Sequence, residues 1–181
     1  DHAPLAAAAG EGPVLAVYLV EPEVWEAADA DALHADFVRE SLVEVAAALR
    51  ERGIGLVVRR GEAVAVLEEL REQTGFRGLW SHEETGNAVT YARDRRVAAW
   101  ARAQGMPWRE FPQAGVVRGL RDRDGWARRW NRALHREEAV LPGGAVGLTV
   151  AGEEPGEAFR GIDLRRPAGR QPDLVGGEGE G

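Results

Sequence analysis

Four short apolar runs alternate with stretches of helical periodicity along this chain. Residues 14–20 (VLAVYLV) are almost wholly apolar, the pattern of a strand covered on both faces. Over residues 31–52, Leu33, Phe37, Val38, Leu42, Val45 and Leu49 recur at spacings of three and four. That spacing predicts a helix, and Gly53 stands where a helix stop is wanted. Residues 54–60 read as a second strand, and Gly61 turns the chain into a helix with Ala63, Leu67 and Leu70 on one face. Residues 78–82 (GLWSH) form a third strand. Asn87 is an N-cap for a helix running to Gln104, closed by Gly105 and Pro107. Residues 108–111 give a fourth strand, stopped by Pro112. A last helix near Asp124 carries Trp126, Trp130 and Leu134 on one face and Arg128, Arg129, Arg132 and Arg136 elsewhere. Residues 5–9 read as the end of an earlier helix.

Strand and helix in alternation, with helices of this length, imply right-handed crossovers and a Rossmann-like α/β fold: a parallel sheet with helices on both faces. In such sheets ligands sit beyond the carboxyl ends of the strands. Here those ends carry Glu21 and Pro22, Arg59 to Gly61, Ser81 to Glu83, and Phe111 and Pro112. From Ala139 onward, 11 Gly and 4 Pro fall in 43 residues, a linker composition in which no regular core is expected. The predicted division is therefore an α/β domain over residues 1–138 and a Gly/Pro-rich linker over 139–181.

Composition narrows the chemistry. The chain has 181 residues, enough for one domain with a buried core, and no apolar run approaches the ~20 residues that cross a bilayer. It has no cysteine, which removes disulfides, thiolate metal sites and cysteine nucleophiles and fits a reducing, cytoplasmic setting. All 23 basic residues are Arg, so Schiff-base chemistry and the lysine-bearing phosphate loop are absent. The net charge of −7 divides unevenly: −10 over residues 1–92, +8 over 93–136 and −5 over 137–181. A basic stretch between acidic ones can meet an anion, a nucleic acid or an acidic surface of the same protein. Asp1 at the start, a single methionine at Met106 and the closing Gly-Glu run together read as a piece of a longer protein.

Most local motifs fail on inspection. His82-Glu83 begins like a zinc-protease helix, but Gly86 stands where the second histidine is required. Ser81 follows a strand, yet Glu83 sits two positions on where a nucleophile elbow has Gly. Gly53-Ile54-Gly55 precedes a strand, whereas a dinucleotide fingerprint follows one. From the residues alone the chain is an α/β ligand-binding or interaction domain with no visible catalytic group.

One segment reaches further. Leu79-Trp80-Ser81-His82-Glu83-Glu84-Thr85-Gly86-Asn87, followed by Thr90-Tyr91-Ala92-Arg93-Asp94-Arg95-Arg96-Val97, resembles the N-terminal domain of the photolyase/cryptochrome family. There a strand ends in a polar turn, and the next helix carries an Ala-Arg-Asp core. Residues 112–118 and Arg123-Asp124-Gly125-Trp126 continue the resemblance in order, and Asp1-His2-Ala3-Pro4-Leu5 is similar to the end of the family's opening motif.

The resemblance spans residues 1–136 and implies a division of labour. The N-terminal α/β domain holds a light-harvesting antenna chromophore, while a separate C-terminal helical domain holds FAD and the DNA-lesion pocket. The parent would repair ultraviolet pyrimidine photoproducts by light-driven electron transfer, or sense blue light, and this stretch alone would catalyse nothing. Its partners would be that FAD-binding domain, and through it damaged DNA, with no membrane. The family's first strand and the Arg-containing turn behind it would lie ahead of Asp1. Candidate antenna-binding residues are Glu21, Arg59, Ser81, His82, Glu83 and Glu84, at the strand ends. The competing readings are a stand-alone nucleotide-binding α/β module and a protein-interaction domain. The first of these needs a phosphate-cradling glycine turn after a strand.

Overall fold

The computed structural model describes residues 2–112, 116, 118 and 124–164. Parts of the resemblance over 112–126 and the end of the predicted linker, residues 165–181, therefore lie outside the described residues. The order of elements is α1 (Ala3–Glu11), β1 (Ala16–Val20), α2 (Pro22–Trp25), α3 (Ala32–Arg50), β2 (Leu56–Arg60), α4 (Ala63–Thr74), β3 (Leu79–His82), α5 (Ala88–Ala103), β4 (Trp108–Phe111), α6 (Trp126–Leu134) and α7 (Pro155–Ala158). The termini follow local chemistry. The Asp31 carboxylate accepts from the His34 amide at 2.8 Å to open α3, and the Asn87 side chain accepts from Val89 and Thr90 to open α5. Gly75 closes α4 in the left-handed conformation.

All described pairing within the strands is parallel, as strands joined by long helical crossovers require. β1 pairs with β2 from Ala16–Leu56 to Val20–Arg60, and β3 pairs with β4 from Leu79–Trp108 to His82–Phe111. Helices cover both faces. α3 and α7 pack with Val20, Trp25 and Val58, while α4 and α5 close a second core around Ala63, Leu67, Val97, Trp100 and Met106. Leu19, Leu79 and Trp108 reach that second core, so both strand pairs share it. α1 packs against β3 and β4.

Three features bear out, refine or correct the expectations. First, the parallel α/β architecture is as expected, and its described strands fall into two separate pairs, as a sheet that lacks its first strand would. β1 and β3 each pair along a single edge, which is why the all-apolar β1 is only half-buried from Ala16 to Leu19 when its composition predicted full cover. Second, the buried stripe of α3 is Ala32, Ala35 and Leu42, with Val38 partly buried, whereas Leu33, Phe37 and Val45 are exposed. Two apolar stripes run along this helix, and only one finds a partner among the described residues. Third, residues 139–164 are not coreless. Gly147 bridges to Val14, the Glu153 amide donates to the Val58 carbonyl at 2.9 Å, and Ala158, Phe159 and Ile162 are buried. Glycine serves this strap by letting it approach: a Cβ on Gly147 would collide with the Gly53 carbonyl and the Ile54 Cα.

A candidate site at the strand ends

The carboxyl ends of β1, β3 and β4 converge on the first turns of α5. Glu21 leaves β1 in extended conformation and caps α2 from a position only 2 % exposed. Arg93, in the second turn of α5, reaches back to it. Its Nη1 donates to Glu21 Oε1, its Nη2 lies 3.1 Å from Glu84 Oε2, and its Nε lies 2.8 Å from Asp94 Oδ1. Arg118 extends the cluster. It contacts Asp94 Oδ2 at 3.1 Å and Glu110 Oε1 at 2.8 Å, and it donates to the Glu84 carbonyl at 2.5 Å. Four carboxylates thus share two guanidinium groups.

Burial makes this arrangement expensive to ionise. Desolvation pushes the Glu21 carboxyl above the usual carboxylate range, with Arg93 pulling the other way. Asp94 is raised for the same reason and opposed by the same arginine. Tyr18, largely buried on β1 and near the Glu21 charge, is pushed up to about 12. Glu21 Oε2 is buried and finds no hydrogen-bond partner among the described residues, so the cluster keeps acceptor capacity unused. A second bridge, from Arg96 to Glu23 and Glu62, lies in the open and contributes little.

The six strand-end residues separate into two groups. Glu21 and Glu84 meet through Arg93. The Glu83 amide extends the ladder by donating to the Phe111 carbonyl at 2.8 Å. Ser81 is turned to β4, where its Oγ accepts from Trp108 Nε1 at 2.9 Å. His82 lies edge-on to His2, ring centroids 4.8 Å apart, and its Nδ1 is buried without a partner among the described residues. Arg59 stands opposite Leu19 in the β1–β2 register, and no hydrogen bond or ion pair joins it to the cluster. The sequence reading did not single out Arg93, Asp94, Glu110 or Arg118 as site residues. The signal for them was the charge asymmetry. Arg93, Arg96, Arg109 and Arg118 pair with Glu21, Glu84, Glu23, Glu62, Glu11, Asp94 and Glu110, most of them from the acidic first half of the chain.

The chemistry of the donor set is selective. A buried carboxylate oxygen without a partner suits an N–H donor on an uncharged ring. A phosphate would meet four carboxylates instead. Two of the nearby helix starts are already capped by side chains, Glu62 on the Ala65 amide of α4 and Asn87 on the Val89 and Thr90 amides of α5, which lessens what they offer an anion. This arrangement speaks against the dinucleotide-cradling alternative.

Comparison with known proteins adds three findings. The DNA photolyase family profile matches residues 1–125. A class III photolyase from Agrobacterium tumefaciens superposes with a TM-score of 0.64 at 23 % identity, over 86 % of this chain and 34 % of its own. A photolyase from Sulfolobus tokodaii, solved with two FAD molecules, superposes with a TM-score of 0.67 at 18 % identity, over 94 % of this chain and 40 % of its own. The chain therefore spans little more than a third of either solved photolyase. No curated protein matches it.

Proposed function

The chain belongs to the DNA photolyase family, and from that premise we propose that it serves as the N-terminal α/β domain of a photolyase-like or cryptochrome-like flavoprotein. In this reading the parent repairs ultraviolet pyrimidine photoproducts with blue light, or senses that light, and this domain performs no catalysis. FAD and damaged DNA belong to a C-terminal helical domain, corresponding to the larger part of the photolyases that the chain does not cover. The observation that carries the reading is the match over residues 1–125, supported by the parallel α/β architecture.

The strand-end cluster is the place for an antenna pigment in this domain. Glu21 and Glu84 would hold the N–H edge of its ring, and the pigment would absorb light and pass the excitation energy on. The donor set fits an uncharged heterocycle and does not fit a pyrophosphate. No helix among the described residues is long and apolar enough to cross a membrane, and the proposed setting is the cytoplasm.

The test is spectroscopic. The full-length polypeptide, purified in the dark, should show flavin absorbance and either blue-light-dependent repair of a thymine-dimer oligonucleotide or a light-induced flavin spectral change. Residues 1–181 alone should show no flavin. Stoichiometric FAD on the isolated stretch would overturn the proposed division of labour.

A further inference from the structure

α6 is an amphipathic helix whose apolar ridge the rest of the described chain leaves uncovered. None of its residues is buried, Trp126 is 43 % and Leu134 63 % exposed, and just beyond its end Arg136 donates to the Pro112 carbonyl. Trp126, Trp130 and Leu134, spaced four apart, form one ridge, and the two indoles stack with centroids 5.4 Å apart at 23°. Arg128 and Arg132 project from the opposite sector of the helix, and Arg129 borders the ridge. Unlike Arg93, Arg96, Arg109 and Arg118, these three arginines make no ion pair with a described residue.

We propose that the Trp126–Trp130–Leu134 ridge is the surface on which the C-terminal helical domain of the same polypeptide docks, with Arg128 and Arg132 left facing outward. The proposal rests on the family reading above. Three arguments select this occupant. Ridge and arginines occupy opposite sectors, so one nucleic-acid strand cannot stack on the indoles and meet Arg128 and Arg132 together. Three side chains fall well short of the ~800 Å² per partner that a stable two-chain interface needs, whereas a tethered domain docks at high effective concentration. Finally, α6 begins one residue after the family match ends, and 60 % or more of each solved photolyase lies outside the part this chain covers, which provides a domain to cover it.

Hydroxyl-radical footprinting of the full-length polypeptide, read by mass spectrometry against the same polypeptide unfolded in urea, tests this. Trp126, Trp130 and Leu134 should be modified at least tenfold more slowly in the folded protein. In the isolated stretch, Trp126 and Leu134 should react within a few-fold of the unfolded rate. If the full-length protein carries flavin yet its ridge reacts at the unfolded rate, the docking proposal fails and the family reading survives. If it carries neither flavin nor a further domain, both fail. Protection that disappears when a dimer is diluted to monomer, or that appears only with anionic phosphatidylserine vesicles or a single-stranded oligonucleotide, assigns the ridge to that other partner and also overturns the proposal. The variant W130S should lower flavin retention in the full-length protein while leaving the folding of residues 1–181 unchanged, because Trp130 packs on no core residue there.

Discussion

Exchanging Arg93 for methionine keeps the aliphatic stem and removes the charge that two carboxylates besides its neighbour Asp94 depend on. Glu21 is 2 % exposed, and Asp94 and Glu84 are 13 % and 28 % exposed. Deleting one partner of a buried pair costs about 3–5 kcal/mol, because the other charge stays buried without compensation. Arg93 itself is 19 % exposed, so water enters from that side, and Glu21 can escape the penalty by taking up a proton. The lower end, about 3 kcal/mol at pH 7, is therefore expected. For a chain of this length that corresponds to a fall of roughly 6–12 °C in Tm. The sign with pH follows from burial. Glu21 binds its proton more tightly folded than unfolded, so its contribution to stability declines as pH rises from the ordinary carboxylate value through the raised one. Without Arg93 that value climbs further. The cost of Arg93→Met should accordingly shrink between pH 7 and pH 5, and should shrink at pH 7 in a Glu21→Gln background. Urea titrations followed by circular dichroism at both pH values measure this. A loss below about 1 kcal/mol at pH 7, or an equal loss at pH 5 and pH 7, would refute the account of a buried, arginine-dependent cluster.

The strap over residues 139–164 is expected to be part of the folded body. Phe159→Ala, which removes a 5 % exposed ring packed edge-on to Trp25 at 5.0 Å, should cost about 3 kcal/mol and open the strap to protease; unchanged stability would detach it from the core. The edges of β1 and β3 that no described strand pairs with are expected to accept an extended strand. Fusing a five-residue apolar strand through a short turn ahead of Asp1 should raise Tm and slow amide exchange along β1 and β3. Exchange left unaltered there would show that the two pairs need no strand between them.

What could be read from the chain, and what could not, divides along the distance over which each feature is determined. The Asn87 cap, the bounds of β4 and the stop at Gly53 or Gly105 are settled by neighbours within a few residues. The outcome at Phe37 is not. Leu33, Phe37, Val38 and Leu42 satisfy the helical period as well as Ala32, Ala35 and Leu42 do, and only the packing of β2 and α7 against α3 decides which stripe is buried. Composition misled at the strap because an average over 43 residues conceals Phe159, Ile162 and Leu164, which are few but occupy the core or its margin. At the site, the rule that ligands gather at strand carboxyl ends located Glu21 and Glu84 but could not orient side chains: Ser81 lies one residue from His82, and the pleat sends the two to opposite faces. Arg93 was hidden for a different reason. A guanidinium on a helix reads as solvated surface until its carboxylates are known, and Glu21 lies 72 residues away. Yet the acidic first half and the basic stretch after residue 92 are each costly to hold alone. Regional charge of opposite sign within one domain is therefore a clue to ion pairs that cross the fold, and here Arg93, Arg96 and Arg109 spend their charge on it rather than on a partner outside.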